Sequence, residues 1–447
     1  QFLETLFGAG TRGARRMHQL ANSVIILDEV QTIPIKMIHM FNLSLRFLVQ
    51  ACGATVVLCT ATQPPLDKLS NPYRTLIINP EQRIIQNEKK LFEKLRRVQV
   101  FDRRKVGGWN DDETAELAEN QLREKGSVLI VVNTRKSAKG LCQAIAKREI
   151  AGVHLYHLST DMCPVHRLSV LSEIKTKLNP KTANPVICVS TQLIEAGVDI
   201  DFGAVIRYLA GLDSIAQSAG RCNRHGIREG LGNVWIINPR DENIGKLKDI
   251  SVGTDQALRV LDDFDKNPAF FKNDRIGLEM MAAYYQYYYF ARKEEMNYKV
   301  GVHSSIGQED DLFDLLSMNS LAVKAYQRTS QAFPDIFLRQ SFQTAAKAFQ
   351  VFDMPTRSIV VQYGNAGKEL VAKLCSAIML EKQYELLKKA QRYSVNLYPY
   401  EFETMEKTGA IHEVQPGAAI YYLEEQYYSD DFGWNNEPSG EAKPYIC

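Results

Sequence analysis

Two adjacent carboxylates near the start of the chain have the residue types and position of a phosphate-hydrolysing site. Asp28 and Glu29 directly follow an apolar run, residues 24–27. The crevice at the carboxyl ends of buried strands is where α/β sheets bind ligands. Asp28 can hold Mg²⁺, usually through water, and Glu29 can orient and deprotonate an attacking water. The pair predicts phosphoanhydride hydrolysis; the alternative is a strand followed by an acidic helix N-cap.

Small polar residues follow two further apolar runs. Thr60 and Thr62 carry hydroxyls that can bridge the carboxylates of a nucleotide site and neighbouring backbone, although such residues after strands are usually turns or caps. In the run 190–201 (S-T-Q-L-I-E-A-G-V-D-I-D), backbone N–H groups at a strand-to-helix turn can hold a phosphate. Gly197 lets the backbone turn, and Asp199 is placed to sense a γ-phosphate or its water. The alternative for this run is a helix-capping turn.

A pair of arginines follows in the run 217–224 (Q-S-A-G-R-C-N-R). Arg221 and Arg224 are three residues apart, so on a helix they would share one face. Two guanidiniums so placed can reach a triphosphate bound to another domain, which is the arrangement of an arginine finger. The alternative is a pair of solvent-exposed arginines without a function. The neighbouring Gln217 and Gly220 argue against this alternative.

The phosphate-binding loop that such chemistry needs, G-x-x-x-x-G-K-[ST], is missing from the 447 residues. The two Gly-Lys pairs, at Gly245 and Gly367, precede Leu and Glu, and no histidine precedes an aspartate, so a His-Asp metal pair is also missing. We therefore expect this polypeptide alone not to hydrolyse ATP. Because the chain opens with Gln1 and runs at once into apolar residues, we also expect it to be a piece of a longer protein.

The elements that must position these residues are predicted from the apolar runs. The runs are continuous rather than alternating, which is typical of strands buried on both faces of a parallel sheet. Between them lie segments with helical spacing, so the sequence predicts α/β layers. The predicted strands are 23–27, 55–59, 76–78, 98–101, 128–132, 153–157, 186–189, 204–207 and 234–237, and the clearest helices are 114–124, 137–148 and 165–178.

The pattern changes after about residue 239. Residues 241–350 are predicted to be mostly helical, with a dense aromatic patch at 284–290 that is more typical of a packing surface than of a base-stacking platform. Residues 358–363 and 419–423 are predicted strands, and 370–393 a long helix.

Composition excludes several classes of protein. A content of 45% hydrophobic and 24% charged residues is ordinary for a soluble globular protein. The net charge of +2 excludes a strongly basic nucleic-acid coat but not a local basic groove. No apolar run approaches the roughly 18 residues of a membrane span, so no membrane contact is expected. The 8 cysteines contain no C-x-x-C pair, which indicates reduced, cytoplasmic thiols and no structural zinc.

Taken together and in this order, D-E-x-x, T-A-T, S-T-Q-x-x-E-A-G-V-D-x-D and Q-x-x-G-R-x-x-R resemble the superfamily 2 DExD/H-box-like helicases. The longer runs 26–34, 190–202 and 217–226 resemble the helicase portion of the CRISPR-associated helicase–nuclease of type I systems. Residues 391–397 and 427–434 are similar to that family's accessory domain. The resemblance implies an α/β fold of tandem RecA-like domains with parallel sheets, the first one partial, then a mostly helical linker and a small α+β C-terminal accessory domain. The expected boundaries are 1–95, 96–240, 241–350 and 351–447.

The resemblance also implies a role for each matching residue. Asp28 and Glu29 match the metal-binding and water-activating acids, and Gln31 the position that links nucleotide to domain closure. Arg221 and Arg224 match the catalytic finger motif. The remaining matches are a coupling motif at Thr60 and Thr62, a backbone-phosphate contact at Asn133 and Thr134, a nucleic-acid contact at Thr191, and nucleotide-binding positions at Gly197, Asp199 and Gln217.

The function implied is ATP- and Mg²⁺-dependent unwinding of, and translocation on, single-stranded DNA in type I CRISPR defence. The family's protein is recruited by the CRISPR surveillance complex, and we expect a cytoplasmic monomer. Two alternatives stay open: a superfamily 2 helicase acting on RNA or in repair, and a non-catalytic DNA-binding or docking subunit of a split helicase. The motor interpretation requires the acidic pair and the two arginines to face each other across a cleft.

Overall fold

Strands form where the sequence has its apolar runs. The computed structural model describes residues 2–60, 64–69, 71–179, 184–301, 309–351, 356–376 and 380–438. The strands in these ranges are β1 Val24–Asp28, β2 Thr55–Cys59, β3 Val98–Asp102, β4 Ser127–Val131, β5 His154–Leu158, β6 Val186–Ser190, β7 Ala204–Tyr208, β8 Gly232–Ile237, β9 Lys299–Val300, β10 Asp310–Asp311, β11 Arg357–Val360, β12 Ser394–Leu397, β13 Ile411–Glu413, β14 Tyr421–Leu423, β15 Tyr428–Ser429 and β16 Gly433–Trp434.

Helices fill the segments between the strands. In the same ranges they are α1 Phe2–Phe7, α2 Thr11–Met17, α3 Ile38–Gln50, α4 Glu88–Lys94, α5 Asp111–Lys125, α6 Arg135–Ala146, α7 Pro164–Lys177, α8 Leu212–Ala219, α9 Lys248–Lys266, α10 Leu278–Ala291, α11 Leu312–Leu315, α12 Ser320–Ser330, α13 Phe342–Ala348, α14 Gly364–Ser376, α15 Leu380–Ala390 and α16 Pro399–Lys407. None of the helices in the described ranges combines the length and the apolar character needed to cross a membrane.

The chain folds as two units, each assembled from two separate chain segments. The first unit joins Gln1–Lys90 to Leu278–Asp353, and the second joins Leu91–Gly277 to Met354–Cys447. The segment 241–350, predicted as a helical linker, therefore divides between the two units. Our four-part division of the sequence remains a prediction.

The second unit is built on a six-stranded parallel sheet with the order β3-β8-β7-β4-β6-β5. Helices α5 and α6 pack on one face, and α7 and α8 pack on the other. Every residue of β4, β6 and β7 is buried, because both faces of these strands are covered. This confirms the predicted α/β class and explains why the apolar runs are continuous.

A small mixed sheet completes the second unit, with the order β12-β11-β14-β13. Strands β11 and β14 run parallel, and the two outer strands run antiparallel to their neighbours. The sheet packs against the start of α7: Cys163 and Val165 lie in the same apolar cluster as Ile359 and Phe402. The predicted small sheet domain at the C-terminal end is thus confirmed.

The first unit contains the parallel pair β1-β2, in which Asp28 lies opposite Cys59. Helix α3 packs against this pair, and Met296 from the second chain segment is buried in the same cluster. The aromatic patch 284–290 lies on α10, where Tyr284 and Tyr285 are buried and Phe290 is exposed. Tyr288 and Tyr289 also pack against the apolar cluster of α3, so the interpretation of the patch as a packing surface holds for these four tyrosines and not for Phe290.

Two predicted elements are wrong. Residues 76–78 do not form a strand; the amide of Leu76 instead bonds to the carbonyl of Leu66. The segment 370–393 is not one long helix, because α14 ends at Ser376 and α15 begins at Leu380. Leu374 of α14 and Leu387 of α15 share one apolar cluster, a contact that a straight helix of that length would prevent.

Candidate nucleotide and nucleic-acid site

The acidic pair sits at the carboxyl end of β1, as predicted, and a hydrogen-bond relay ties it to the end of β2. The amide of Gln31 donates to a carboxylate oxygen of Glu29, and the hydroxyl of Thr60 donates to the carbonyl oxygen of the same amide. We refer to these three side chains as the Glu29–Gln31–Thr60 relay. Thr62, the other predicted coupling residue, lies outside the described residues.

Glu29 adopts a left-handed backbone conformation, with φ of 54° and ψ of 47°. This region is uncommon for non-glycine residues, and it costs on the order of 1 kcal/mol or more. The turn lets the Glu29 amide donate to Oδ1 of Asp28 at 3.0 Å and the Thr32 hydroxyl donate to the Glu29 carbonyl at 2.7 Å. The strained turn thus orients both carboxylates at the strand end.

The acidic pair fits a magnesium ion held mainly by water and phosphate oxygens. Asp28 is exposed, and the described residues contain no cluster of three or more His, Cys, Asp or Glu side chains able to hold a metal by themselves. Mg²⁺ typically keeps several waters and uses one or two carboxylates together with substrate phosphates. Asp28 would hold such an ion, with Glu29 free to position a water.

In the second unit, the run 190–201 forms a turn at the carboxyl end of β6. Thr191 is buried, and its amide donates to the carbonyl of Leu158 at 3.1 Å. Gly197 has φ of 70° with open space where a Cβ would stand, so backbone conformation and not crowding favours glycine there. Asp199 is exposed at the end of the turn, where it accepts from the guanidinium of Arg224 at 3.0 Å.

The two predicted finger arginines do not share a helix face. Helix α8 ends at Ala219, and Asn223 adopts a left-handed conformation with φ of 47°. Arg221 consequently turns inward, where it is buried and donates to the carbonyls of Ile194, at 2.9 Å, and Glu195. Arg224 turns outward with its side chain 40% exposed. The guanidinium of Arg224 holds the pKa of Asp199 below its usual range.

Gln217 is half-buried on the last turn of α8. It lies one helical turn before Arg221. Its proposed nucleotide contact remains a prediction.

Asn133 and Thr134 lie at the start of α6, where their backbone amides already have an acceptor. Oε1 of Glu242 accepts from the amides of Asn133 and Thr134, both at 2.9 Å. Oε2 of Glu242 accepts from the Asn133 side chain at 2.8 Å. A carboxylate is thus held at the helix N-terminus, the position where an anion is favoured.

The sequence prediction missed a buried ionic network behind this turn. Arg207 is fully buried, and its Nε lies 3.1 Å from Oε1 of Glu195. The Arg207 guanidinium also donates to Oδ1 of Asn133 and to the Ser214 hydroxyl, each at 2.8 Å. Ser214 and Ser218 donate in turn to Glu195. Burial raises the pKa of Glu195, although Arg207 and the two hydroxyls oppose this. A signal was available: Arg207 is the one charged residue in the apolar run 204–208.

The family model for the C-terminal part of the CRISPR-associated nuclease/helicase Cas3 matches residues 124–227. A Cas3 of Streptococcus thermophilus is 25% identical over 235 residues, and one of Methanothermobacter thermautotrophicus is 29% identical over 260 residues. These alignments cover 46% and 54% of the chain and 24% and 29% of the relatives. This chain is related to the Cas3 nuclease/helicases.

Structural similarity agrees with the Cas3 relationship. T. fusca Cas3 in its AMPPNP form matches with a TM-score of 0.59 and 14% identity, covering 92% of this chain and 52% of that one. The Cas3 structures with AMPPNP and ATP indicate that the family binds nucleotide. A CRISPR RNA-guided surveillance complex in a pre-nicking state matches with a TM-score of 0.53 and 15% identity, covering 94% and 56% of the two chains. The predicted resemblance and the RecA-like fold are confirmed, and the chain spans about half the length of these structures.

Proposed function

We propose that this chain is the motor portion of an ATP-dependent helicase that translocates on single-stranded DNA in type I CRISPR defence. The observation that carries the proposal is the Glu29–Gln31–Thr60 relay. It joins the acid that would activate water to the end of the neighbouring strand, so a change at the phosphate can reach the segment that contacts nucleic acid. The Cas3 relationship supports the same function.

In the proposed reaction Asp28 would hold Mg²⁺ through water, and the ion would supply positive charge beside the phosphates. Glu29 orients the attacking water and takes its proton. Arg224 leaves Asp199 and places its guanidinium on the developing phosphate charge, which is the role of an arginine finger. Arg221 acts differently: by fixing the carbonyls of Ile194 and Glu195, it holds the turn that carries Gly197 and Asp199.

The nucleic-acid side of the motor is proposed at Thr60, Thr62, Asn133, Thr134 and Thr191. The amides of Asn133 and Thr134 can donate hydrogen bonds to a strand phosphate once Glu242 moves aside, because the carboxylate and the phosphate are both anions that suit the same helix N-terminus. The sequence lacks the phosphate loop, so we expect the 447 residues alone not to hydrolyse ATP. The intact protein is proposed to be a cytoplasmic monomer that docks on a surveillance complex, in line with its surveillance-complex structural neighbour.

The test starts with the gene upstream of the Gln1 codon. An in-frame G-x-x-x-x-G-K-[ST] there gives a single-polypeptide motor, whereas a nearby start codon gives a split subunit whose partner supplies the loop. ATP hydrolysis and strand unwinding are then measured on the intact protein or pair, with single-stranded DNA and with RNA of the same sequence.

We expect hydrolysis that DNA stimulates, that Glu29→Gln and Arg224→Ala abolish, and that Arg123→Ala preserves. Arg123 is the matched control because its side chain is 70% exposed and its contacts are with Glu119 and Asn120 on its own helix. Stimulation by RNA alone would favour a superfamily 2 helicase acting on RNA. Hydrolysis unchanged in Glu29→Gln would overturn the proposed role of the acidic pair.

A further inference from the structure

A polar cavity of about 470 Å³ lies in the second unit, where the segment between β5 and α7 meets the small C-terminal sheet. Thr160 and Arg167 line it from the β5–α7 side, and Ser358, Asn396 and Tyr398 line it from the C-terminal side. Its size is within the range of ligand pockets, about 300–1,000 Å³. Among the described residues, the lining includes two arginines and no carboxylate, so the cavity has the charge of an anion site.

The two arginines of the lining differ in whether a carboxylate of the protein already neutralises their charge. Arg135 pairs with Asp161 and, at 2.6 Å, with Glu401. Arg167, on the first turn of α7, has no carboxylate within ion-pair distance and no hydrogen-bond acceptor for its guanidinium among the residues that the structure describes. Arg167 is therefore the cation in this cavity that can take up an external anion.

The surroundings of Arg167 make a counter-ion favourable. The side chain is half-buried, and burial lowers the pKa of Arg167 from its usual range, although a guanidinium keeps its proton in proteins. A partly desolvated charge without a partner is costly, and a bound anion offsets that cost. A planar guanidinium group can donate two parallel hydrogen bonds to the oxygens of one phosphate, in a bidentate contact.

The other lining groups suit the rest of a phosphate ester. The hydroxyls of Thr160 and Ser358 and the amide of Asn396 are exposed, and none of the three makes a hydrogen bond within the described part of the chain. Tyr398 presents an aromatic ring at the same cavity and stacks on Tyr400 with ring centroids 5.9 Å apart. Aromatic rings beside a cationic groove are the usual partners of unpaired bases.

We propose that this cavity binds a phosphate group, with Arg167 as its charged contact and Thr160, Ser358 and Asn396 as its neutral contacts. The phosphate can come from the backbone of a single nucleic-acid strand or from a free phosphate. The strand source rests on the proposed function, and it adds a contact between the C-terminal sheet and the DNA beyond those assigned above.

The full 447-residue chain is titrated into a fluorescent dT20 oligonucleotide at several salt concentrations, without ATP. We expect Arg167→Ala to weaken binding by about threefold or more and to lower the slope of log K against log salt by about 0.7, the value for one lost phosphate contact on a single strand. Arg123→Ala, which removes the same charge from an exposed position on α5, is expected to leave both quantities unchanged.

A second arm measures inorganic phosphate and pyrophosphate by calorimetry. If the source is a free phosphate, these anions bind to the wild type and not to Arg167→Ala, while dT20 binding is the same in both. Asn396→Asp serves where Arg167→Ala fails to fold, because it places a negative charge at the exposed mouth of the cavity with little change of shape. Its matched control is Asn120→Asp, an exposed position on α5.

If both variants bind dT20 and phosphate like the wild type, the inference is overturned. This outcome is distinct from failure of the proposed motor. Oligonucleotide binding is measured without ATP and does not depend on the proposed roles of Glu29 and Arg224 in catalysis. The proposed motor, in contrast, is tested by measuring ATP hydrolysis.

Discussion

Arg221 and Arg224 are three residues apart in the sequence, yet they have opposite environments. Arg221 is 6% exposed and bonds to two backbone carbonyls, so its role in this structure is to hold a turn. The guanidinium of Arg224 pairs with Asp199, whose side chain is 60% exposed, and donates a long hydrogen bond of 3.4 Å to the carbonyl of Gly220. Exposed pairs of this kind contribute little to stability, so Arg224 can leave Asp199 at small cost.

Substitution of these arginines should separate stability from activity. Arg221→Ala is expected to lower the free energy of unfolding by about 2–4 kcal/mol, because two buried carbonyls lose their donors. Arg224→Ala is expected to change it by less than about 1 kcal/mol and to slow ATP hydrolysis by the intact motor by about 10³-fold or more. Denaturant unfolding and hydrolysis rates check the two effects; equal destabilisation by both variants would contradict the assignment.

The direction of each arginine could not be predicted from spacing. The sequence places both in a recognisable motif, but the end of α8 at Ala219 and the left-handed Asn223 decide where the side chains point. By contrast, the positions of Asp28, Glu29 and Thr60 follow from the sequence alone, because each comes directly after an apolar run that forms a strand. The Gln31 bridge between them depends on a 3₁₀ turn, Val30–Thr32, that the sequence pattern does not show.

At the scale of elements, the N-terminus of α6 is occupied by a carboxylate from a distant part of the chain. Glu242 follows Asn133 by 109 residues, and its contacts with the two amides place a negative charge at the position where we propose that a strand phosphate binds. No local sequence pattern predicts a contact between residues so far apart. The sequence therefore pointed to Asn133 and Thr134 but not to Glu242, the carboxylate that accepts from their amides.

Glu242→Gln tests this competition. The variant is expected to lose about 0.3–1 kcal/mol of helix-end stabilisation, because the charge that favours the helix N-terminus is removed. It is expected to bind single-stranded DNA about fivefold more tightly, since two unit charges 4 Å apart in water repel by roughly 1 kcal/mol. Asp241→Asn, the same charge change at the exposed neighbouring residue, is the control. Unchanged DNA affinity in Glu242→Gln would mean that Glu242 is only a helix cap.

Strand β5 and the loop after it carry two groups with opposite pH dependence. Burial lowers the pKa of His157 to about 4. Burial raises the pKa of Asp161 to about 6, although Arg135 beside it opposes the shift. The stability that His157 contributes is therefore lost as pH falls from about 6.5 to 4, and that of Asp161 is lost as pH rises from about 4 to 6.

Because the two effects oppose each other, we expect the contributions of His157 and Asp161 to the pH dependence of stability largely to cancel between pH 4.5 and 6 in the wild type. Asp161→Asn should expose the His157 effect, so stability should fall on acidification. His157→Gln should expose the Asp161 effect, so stability should rise on acidification. Urea unfolding of the second unit at several pH values checks the slopes, and parallel slopes in the two variants would refute the opposition.

The helix and strand bounds show where local patterns suffice. Strands β4, β6 and β7 agree with their predicted bounds to within one residue, because burial on both faces leaves a long apolar run. Helix α5 starts three residues before its predicted start, because the capping box of Asn110 and Glu113 begins it in a polar stretch. The two-residue strands β15 and β16 are too short for any periodic pattern, and their pairing depends on tertiary contacts.

At the scale of the whole molecule, each unit combines segments that are far apart in the sequence. The first unit depends on Met296, Tyr298 and Leu312 from the later segment, which share its apolar clusters. Asn297 adds polar contacts with His39 and Arg74, at 3.0 and 2.6 Å. The region predicted as a linker is therefore partly a structural component of the β1-β2 unit.

Met296→Ala is expected to destabilise the first unit selectively, by about 2–5 kcal/mol, because Met296 is 1% exposed and its removal leaves a cavity. Hydrogen exchange followed by mass spectrometry should show faster exchange in β1, β2 and α3 and unchanged exchange in β4, β6 and β7. Met318→Ala, at a position 59% exposed in the same unit, is the control and should leave all of these rates unchanged. Equal acceleration in both units would contradict the division into separate units.

The buried pair of Arg207 and Glu195 also constrains how this sequence can evolve. Losing either partner leaves an uncompensated charge in the core, at a cost of about 3–5 kcal/mol, whereas replacing both with apolar residues can be nearly neutral. Across related genomes the two positions should covary, remaining Arg with Glu or becoming apolar together, and single replacements should be rare. A lineage carrying only one of the two would need a new acid or base near Ser214 to compensate.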